Sequence, residues 1–82
     1  MKATHDTIRT WLHEADDKGA THVVIMSDDF SHDYYPVPCR SRDAARDTVR
    51  LKSGQNMQTV VEVYNLSASW EAQLQQERCM NY

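Results

Sequence analysis

The sequence predicts an α+β protein in which a two-stranded antiparallel hairpin packs with about four helices, in the order helix, strand, strand, helix, helix, helix. Three observations lead to this prediction. Apolar residues recur at helical spacing, residues 23–26 are all apolar, and two prolines lie two residues apart in the segment that follows, at positions 36 and 38. With 82 residues, the chain has room for one domain, residues 1–82.

The first helix is predicted from an apolar stripe and from residues that favour each of its ends. Thr4 or Asp6 can accept hydrogen bonds from the unpaired N–H groups of its first turn. Gly19 can adopt the left-handed conformation that ends a helix. The stripe follows the spacing i, i+3, i+4, i+7 and consists of Ile8, Trp11, Leu12 and Ala15.

Two strands are predicted next, joined by an acidic loop at residues 27–33. Residues 22–26 are rich in β-branched side chains, and four of them in a row are apolar, which indicates burial on both faces of a sheet. The second strand, residues 34–40, contains Pro36 and Pro38. Prolines two residues apart remove N–H donors from the same side, so this strand is predicted at the edge of the sheet.

Three further helices are predicted in the second half of the chain. Residues 43–51 form one, with Ala45 and Val49 facing inwards and Gly54 as its stop. Residues 56–64 form another, because their apolar residues again follow i, i+3, i+4, i+7; these are Met57, Val60, Val61 and Tyr64. Ser67 or Ser69 can cap the last, whose apolar residues lie four apart; these are Leu66, Trp70 and Leu74.

Composition and motif spacing argue against a metal centre, a cofactor and an enzyme. The four histidines form no i, i+4 pair, and neither cysteine has a partner at Cys-x-x-Cys spacing. Two glycines are too few for a phosphate-binding loop or a dinucleotide motif. A Cys–His pair of Cys39 with His22 or His32 would form only if the hairpin brought them together.

The same patterns predict where the protein is found. The longest apolar run has four residues, far fewer than the roughly 20 of a membrane span, and no apolar stretch follows the first charged residues. We therefore expect no signal peptide, free thiols and a cytoplasmic location.

Positive charge is concentrated between residues 40 and 52, where the local balance is +3 against −3 for the whole chain. Arg42, Arg46 and Arg50 lie four apart, which places three guanidinium groups on one face of a helix. One hypothesis is a surface that binds phosphate or an acidic partner. The alternative, which we favour because the net charge opposes nucleic-acid binding, is pairing with nearby carboxylates such as those of Asp43 and Asp47.

The loop between the strands combines carboxylates with aromatic side chains. Its candidate partner-binding residues are Asp28, Asp29, Phe30, Asp33, Tyr34 and Tyr35. An exposed aromatic cluster ringed by carboxylates is typical of a hot spot for a basic protein surface. The alternative is that Phe30 and one tyrosine close the end of the core. The sequence leaves both interpretations open.

Two blocks of this chain resemble a small family of proteins encoded by tailed bacteriophages and prophages. The first block is Gly-Ala-Thr-His-Val-Val-Ile-Met at residues 19–26, followed by Asp28, Phe30, Asp33 and Tyr-Pro-Val at residues 35–37. The second is Asn-Met-Gln at residues 56–58, followed by Val60 and Glu-Val-Tyr-Asn-Leu-Ser at residues 62–67. Trp11-Leu12 precedes both.

The chain departs from that family in two places. Pro38-Cys39 stands where the family continues with apolar residues, and Ser27 and Asp29 stand where cysteine and threonine are frequent. The resemblance supplies no catalytic residues. It implies an accessory phage protein, and proteins of that kind commonly act by covering a surface of a host protein.

These observations together predict a non-enzymatic phage protein that binds and inhibits a host protein or nucleoprotein complex, for example a CRISPR effector complex, in the host cytoplasm. One alternative is a nucleic-acid-binding regulator that uses the three arginines. Another is a binder of a small ligand such as a nucleotide. A homodimer is plausible for a chain with so few apolar residues.

Overall fold

A computed structural model of the protein describes residues 4–52 and 57–82, which form three helices and a three-stranded antiparallel sheet. In chain order the elements are α1 (His5–Asp17), β1 (His22–Asp28), β2 (Tyr34–Cys39), α2 (Arg42–Lys52), β3 (Gln58–Asn65) and α3 (Trp70–Leu74). The strand order is β2-β1-β3. The predicted α+β class is confirmed, whereas the two-stranded hairpin with about four helices is wrong in detail.

Helix α1 begins and ends as its sequence predicts. The Thr4 hydroxyl oxygen accepts a hydrogen bond from the Thr7 backbone N–H at 3.2 Å, and Gly19 follows the helix at φ +83°. Its inward face, Ile8, Leu12 and Ala15, is buried against the sheet. The amphipathic stripe therefore decides which side of the helix the core covers.

Strand β1 lies in the middle of the sheet and is buried on both faces. Val23 and Ile25 pack with α1, while Val24 and Met26 pack on the opposite face with α2. All four have no exposed surface. The prediction that helices cover both faces is confirmed, because an uninterrupted apolar strand needs apolar neighbours on each side.

The helix predicted at residues 56–64 is wrong, because residues 58–65 form β3. In the register of β1 with β3, Ile25 pairs with Glu62 and Met26 pairs with Val60. Val61 therefore has no partner in β1 and forms a β-bulge. The bulge breaks the period of two, because residues three apart share a face: Val60 and Val63 pack on the α2 side, and Val61 and Tyr64 on the α1 side. A bulged strand thereby imitates helical spacing. The first predicted residue, Asn56, lies outside the described residues.

The two outer strands are protected from further pairing in different ways. Strand β2 is at the edge of the sheet, as its prolines predict. The outer side of β3 is covered by the C-terminal segment: the Val63 N–H donates to the Cys79 carbonyl at 2.7 Å, and the Asn81 N–H donates to the Val63 carbonyl at 3.0 Å. The Arg78 guanidinium donates to the Val61 carbonyl at 3.1 Å beside the bulge.

The two remaining helices have different lengths. Helix α2 begins after Ser41, whose hydroxyl oxygen accepts a hydrogen bond from the Ala44 N–H at 3.0 Å. The stop predicted at Gly54 lies outside the described residues. Helix α3 is a single short helix with Ser69 as its cap, one of the two predicted serines, accepting from the Ala72 N–H at 3.3 Å.

Candidate functional site

The loop between β1 and β2 meets the start of β3 at one end of the sheet. We call this surface, residues 28–33 together with 57 and 59, the hairpin tip. The Asp29 N–H donates to the Met57 carbonyl at 2.6 Å. The Thr59 hydroxyl donates to both carboxylate oxygens of Asp29, at 2.8 and 2.9 Å. Two separate segments of the chain therefore form a single surface.

Carboxylates hold the backbone of the hairpin tip in place. The Asp28 Oδ1 atom accepts from the Phe30 N–H at 2.9 Å and from the Ser31 N–H at 3.4 Å, which is an Asx turn. The Asp28 N–H in turn donates to the Asp33 carbonyl at 2.9 Å. Asp28 and Asp29 thus have a local structural role in addition to their charge.

Phe30 projects from this turn into solvent. Its side chain is 82 % exposed, and that of Met57 is 58 % exposed. The alternative in which Phe30 closes the core is wrong. Tyr34 and Tyr35 are half-buried instead, Tyr34 on the α1 side of the sheet and Tyr35 on the α2 side. Burial, together with the charge of Asp28, raises the pKa of Tyr35.

An open cleft of about 550 Å³ adjoins the hairpin tip on the α1 side of the sheet. Its lining includes Ile8 and Val61 as apolar residues and Glu62, Glu77 and Arg78 as charged ones. The Arg78 guanidinium donates to backbone carbonyls of the bulge, at 3.1 and 3.4 Å. The phosphates of a nucleotide require several convergent cations. This cleft offers two carboxylates, which repel phosphate, and one arginine that already donates to backbone carbonyls.

Helix α2 presents the three predicted arginines to solvent on the other side of the sheet. Arg50 forms one ion pair with Asp47, at 3.0 Å, and both side chains are largely exposed. The Arg46 guanidinium lies over the ring of Tyr82, 5.3 Å from its centroid. Arg42 contacts no carboxylate within the described residues. The favoured expectation, pairing with nearby carboxylates, is therefore met at Arg50 only.

Of the residues considered for nucleophilic chemistry, His32 belongs to the hairpin tip, whereas His22 and Cys39 lie at the other end of the sheet. His22 lies opposite Cys39 in the β1–β2 register and is 6 % exposed, with its Nδ1 atom 2.7 Å from the Thr21 hydroxyl. The Cys39 sulfur lies 3.6 Å from the Val37 carbonyl oxygen and 3.6 Å from the Thr48 hydroxyl oxygen. Across residues 4–52 and 57–82, no three His, Cys, Asp or Glu side chains are grouped to hold a metal ion.

The second thiol is more deeply enclosed. Cys79 has no exposed surface and donates to the Val63 carbonyl at 3.0 Å. Burial raises the pKa of its thiol to about 11, since a thiolate would lose its hydration there, and nearby Glu62 adds to the effect. Both cysteines are free thiols.

Sequence reasoning missed the part of the hairpin tip that comes from β3. The sequence predicts Met57 on the apolar stripe of a helix, yet it precedes a strand and is exposed beside Asp29. Its φ of +58° marks the residue where the chain turns into the strand. The adjacent Thr59-Val60-Val61 run is β-branched, and this was the available signal for a strand.

No protein-family model, no curated protein and no solved structure matches this chain. None of the helices in the described part of the chain is both long enough and apolar enough to cross a membrane.

Proposed function

We propose that this protein is a non-enzymatic interaction protein that binds a basic surface of another protein, or of a nucleoprotein complex, through the hairpin tip and thereby blocks it. The single observation that carries this proposal is the 82 % exposure of Phe30 on a turn held by its own hydrogen bonds. An aromatic side chain in that position contributes nothing to the core of this fold. Burying it against a partner contributes roughly 2–3 kcal/mol.

The fixed geometry of the turn favours binding. Asp28 and Asp29 tie the loop to itself and to β3, so little conformational entropy is lost when a partner covers it. Met57, which directly precedes β3 and accepts a hydrogen bond from the Asp29 N–H, is also exposed, so the hairpin tip carries a second exposed apolar side chain. A central aromatic side chain with a polar rim is the arrangement found at protein-binding hot spots.

The charge of the hairpin tip favours a basic partner. Three carboxylates, those of Asp28, Asp29 and Asp33, lie within six consecutive residues around Phe30. Complementary charge accelerates encounter and disfavours acidic partners. Basic grooves that bind nucleic acid are surfaces of this kind, and a protein seated there excludes the phosphate backbone.

The resemblance to phage and prophage accessory proteins supplies the biological setting of the proposal. In that setting the blocked surface belongs to a bacterial host protein in the cytoplasm, for example a component of a CRISPR effector complex that acts in defence. This step rests on analogy with other small phage proteins, and the identity of the partner comes from experiment.

The test is a pull-down with tagged protein from bacterial host lysate, with and without nuclease, followed by affinity measurement on the purified partner. Wild-type protein should retain one host protein in stoichiometric amount after nuclease treatment. Phe30→Ser should weaken the affinity about 30-fold or more, which corresponds to a hot-spot loss of 2 kcal/mol.

The matched control is Leu51→Ser, which removes another exposed apolar side chain, 57 % exposed, from α2. Its affinity should stay within about twofold of wild type, because Leu51 is not one of the residues that form the hairpin tip. Equal binding by wild type and Phe30→Ser would refute the hairpin tip as the contact. Retention of nucleic acid alone would refute the proposed class of partner.

A further inference from the structure

We propose that the exposed face of α2 binds the phosphate backbone of nucleic acid through Arg42, Arg46 and Arg50. This inference goes beyond the proposed function and stands without it, because it concerns α2 and none of the residues of the hairpin tip. If both hold, a nucleoprotein complex would meet the hairpin tip with its protein and α2 with its nucleic acid.

The three guanidinium groups form a row along α2. Arginines four residues apart are separated by about 6 Å along a helix, so the row extends about 12 Å. Ala45, Val49 and Thr48 occupy the sides of the helix that pack on or near the sheet, while all three arginines are exposed. The row therefore faces solvent over its whole length.

The carboxylates of Asp43 and Asp47 compensate only part of this positive charge, since the balance over residues 40–52 is +3. The side chains of the Arg50–Asp47 ion pair are both largely exposed, and exposed pairs contribute little to stability, so a phosphate can replace the carboxylate. Arg42 forms no ion pair in the described part of the chain. Like charges at i, i+4 repel one another, and a bound polyanion would relieve that repulsion.

The side chain of Arg46 is positioned by a cation–π contact with Tyr82. Its guanidinium lies 5.3 Å from the centroid of the Tyr82 ring, and the Tyr82 carbonyl accepts from the Asn65 side-chain amide at 3.3 Å. The C-terminal residue is thereby tied to the end of β3. A guanidinium stacked on a fixed ring loses less side-chain entropy when it binds a phosphate.

The net charge of −3 does not prevent this binding, because the fold separates the charges. The exposed carboxylates of α1 are on the other side of the sheet from α2; they are Asp6, Glu14, Asp16 and Asp17. Layers of secondary structure pack about 10 Å apart, so the two helices are about 20 Å from one another. That distance exceeds two Debye lengths at physiological salt. The repulsion between the carboxylates of α1 and a polyanion bound to α2 is therefore largely screened.

The experiment measures fluorescence anisotropy of a labelled single-stranded DNA oligonucleotide of mixed sequence over a series of salt concentrations. Three phosphate contacts predict a slope of about −2 for the logarithm of the association constant against the logarithm of salt. The affinity should therefore fall about 20-fold between 50 and 200 mM salt. Arg42→Gln should reduce the magnitude of the slope by about 0.7, and Arg42→Lys should restore it.

The matched control is Lys18→Gln, which removes one exposed positive charge at the end of α1 and should leave the slope unchanged. Circular dichroism checks that each variant is folded. Absence of binding at 20 mM salt, or an equal loss of slope in Lys18→Gln, would overturn the inference. Equally tight binding of poly-glutamate would also overturn it, because α2 would then recognise acidic polymers without preference for phosphate.

Discussion

Replacement of Gln73 by leucine should destabilise this protein more than any change at the hairpin tip. Gln73 is 2 % exposed and lies where α3, the end of β3 and the C-terminal segment meet. Its side-chain nitrogen donates to the Asn65 carbonyl at 2.8 Å and the Ser69 carbonyl at 3.1 Å. Its side-chain oxygen accepts from the Asn65 N–H at 2.8 Å and the Asn81 amide at 3.1 Å.

Leucine fills a similar volume but can make none of these hydrogen bonds. The Asn65 N–H would lose its partner inside a part-buried region, which costs about 1–3 kcal/mol. The Asn65 carbonyl would keep the hydrogen bond that it accepts from the Ala68 N–H at 3.2 Å. That loss of about 1–3 kcal/mol is a large fraction of the roughly 4–12 kcal/mol expected for a domain of this length. The melting temperature should fall by about 5 °C or more.

Urea denaturation followed by far-UV circular dichroism measures this difference, with Gln75→Leu as the control. Gln75 lies two residues further on and is exposed, so the same chemical change there should alter the unfolding free energy by less than about 0.5 kcal/mol. Equal losses in the two variants would show that the hydrogen bonds of Gln73 are not what joins the C-terminal segment to the sheet.

Three further changes test other parts of the fold. Gly19→Ala should cost about 1 kcal/mol in urea denaturation, because φ is +83° and no neighbouring atom would meet the added methyl group. Deletion of Val61 should leave the circular dichroism spectrum unchanged and lower the free energy of unfolding by about 1–2 kcal/mol, because every β1–β3 residue pair remains when the bulge residue is removed. Deletion of Val63, which does pair with β1, should unfold the protein. Because burial raises the pKa of Cys79 from 9.0 to about 11 and also raises that of Tyr64, the folded state holds both protons more tightly. The contribution of these two groups to stability should be constant below pH 9 and decrease as the pH rises towards 11, and the decrease should be less steep in Cys79→Ala.

Local patterns were sufficient for the parts of the fold that depend on neighbouring residues in the chain. Caps and apolar spacing predict α1, because its hydrogen bonds and its buried stripe both repeat within a few residues. The four-residue apolar run predicts a strand covered on both faces, and Pro36 and Pro38 predict the sheet edge on which they are found. Each of these properties follows from the backbone or burial preference of the residues themselves.

Only the tertiary structure decided the conformation of residues 58–65. Helical spacing and a bulged strand give the same apolar pattern here, and the choice depends on whether β1 is available as a partner. Pairing with β1 satisfies the backbone of β3 and buries Val60 and Val63 on one face and Tyr64 on the other. An isolated segment contains no information about that partner.

The candidate surfaces divide in the same way between sequence and tertiary structure. The residue types of the acidic loop and the spacing of the arginines were apparent from the sequence, since composition and period are local properties. The exposure of Phe30, its proximity to Met57 and the placement of α2 opposite acidic α1 depend on how distant segments pack. Burial and charge separation are properties of the assembled layers, and for this reason only the folded chain decided them.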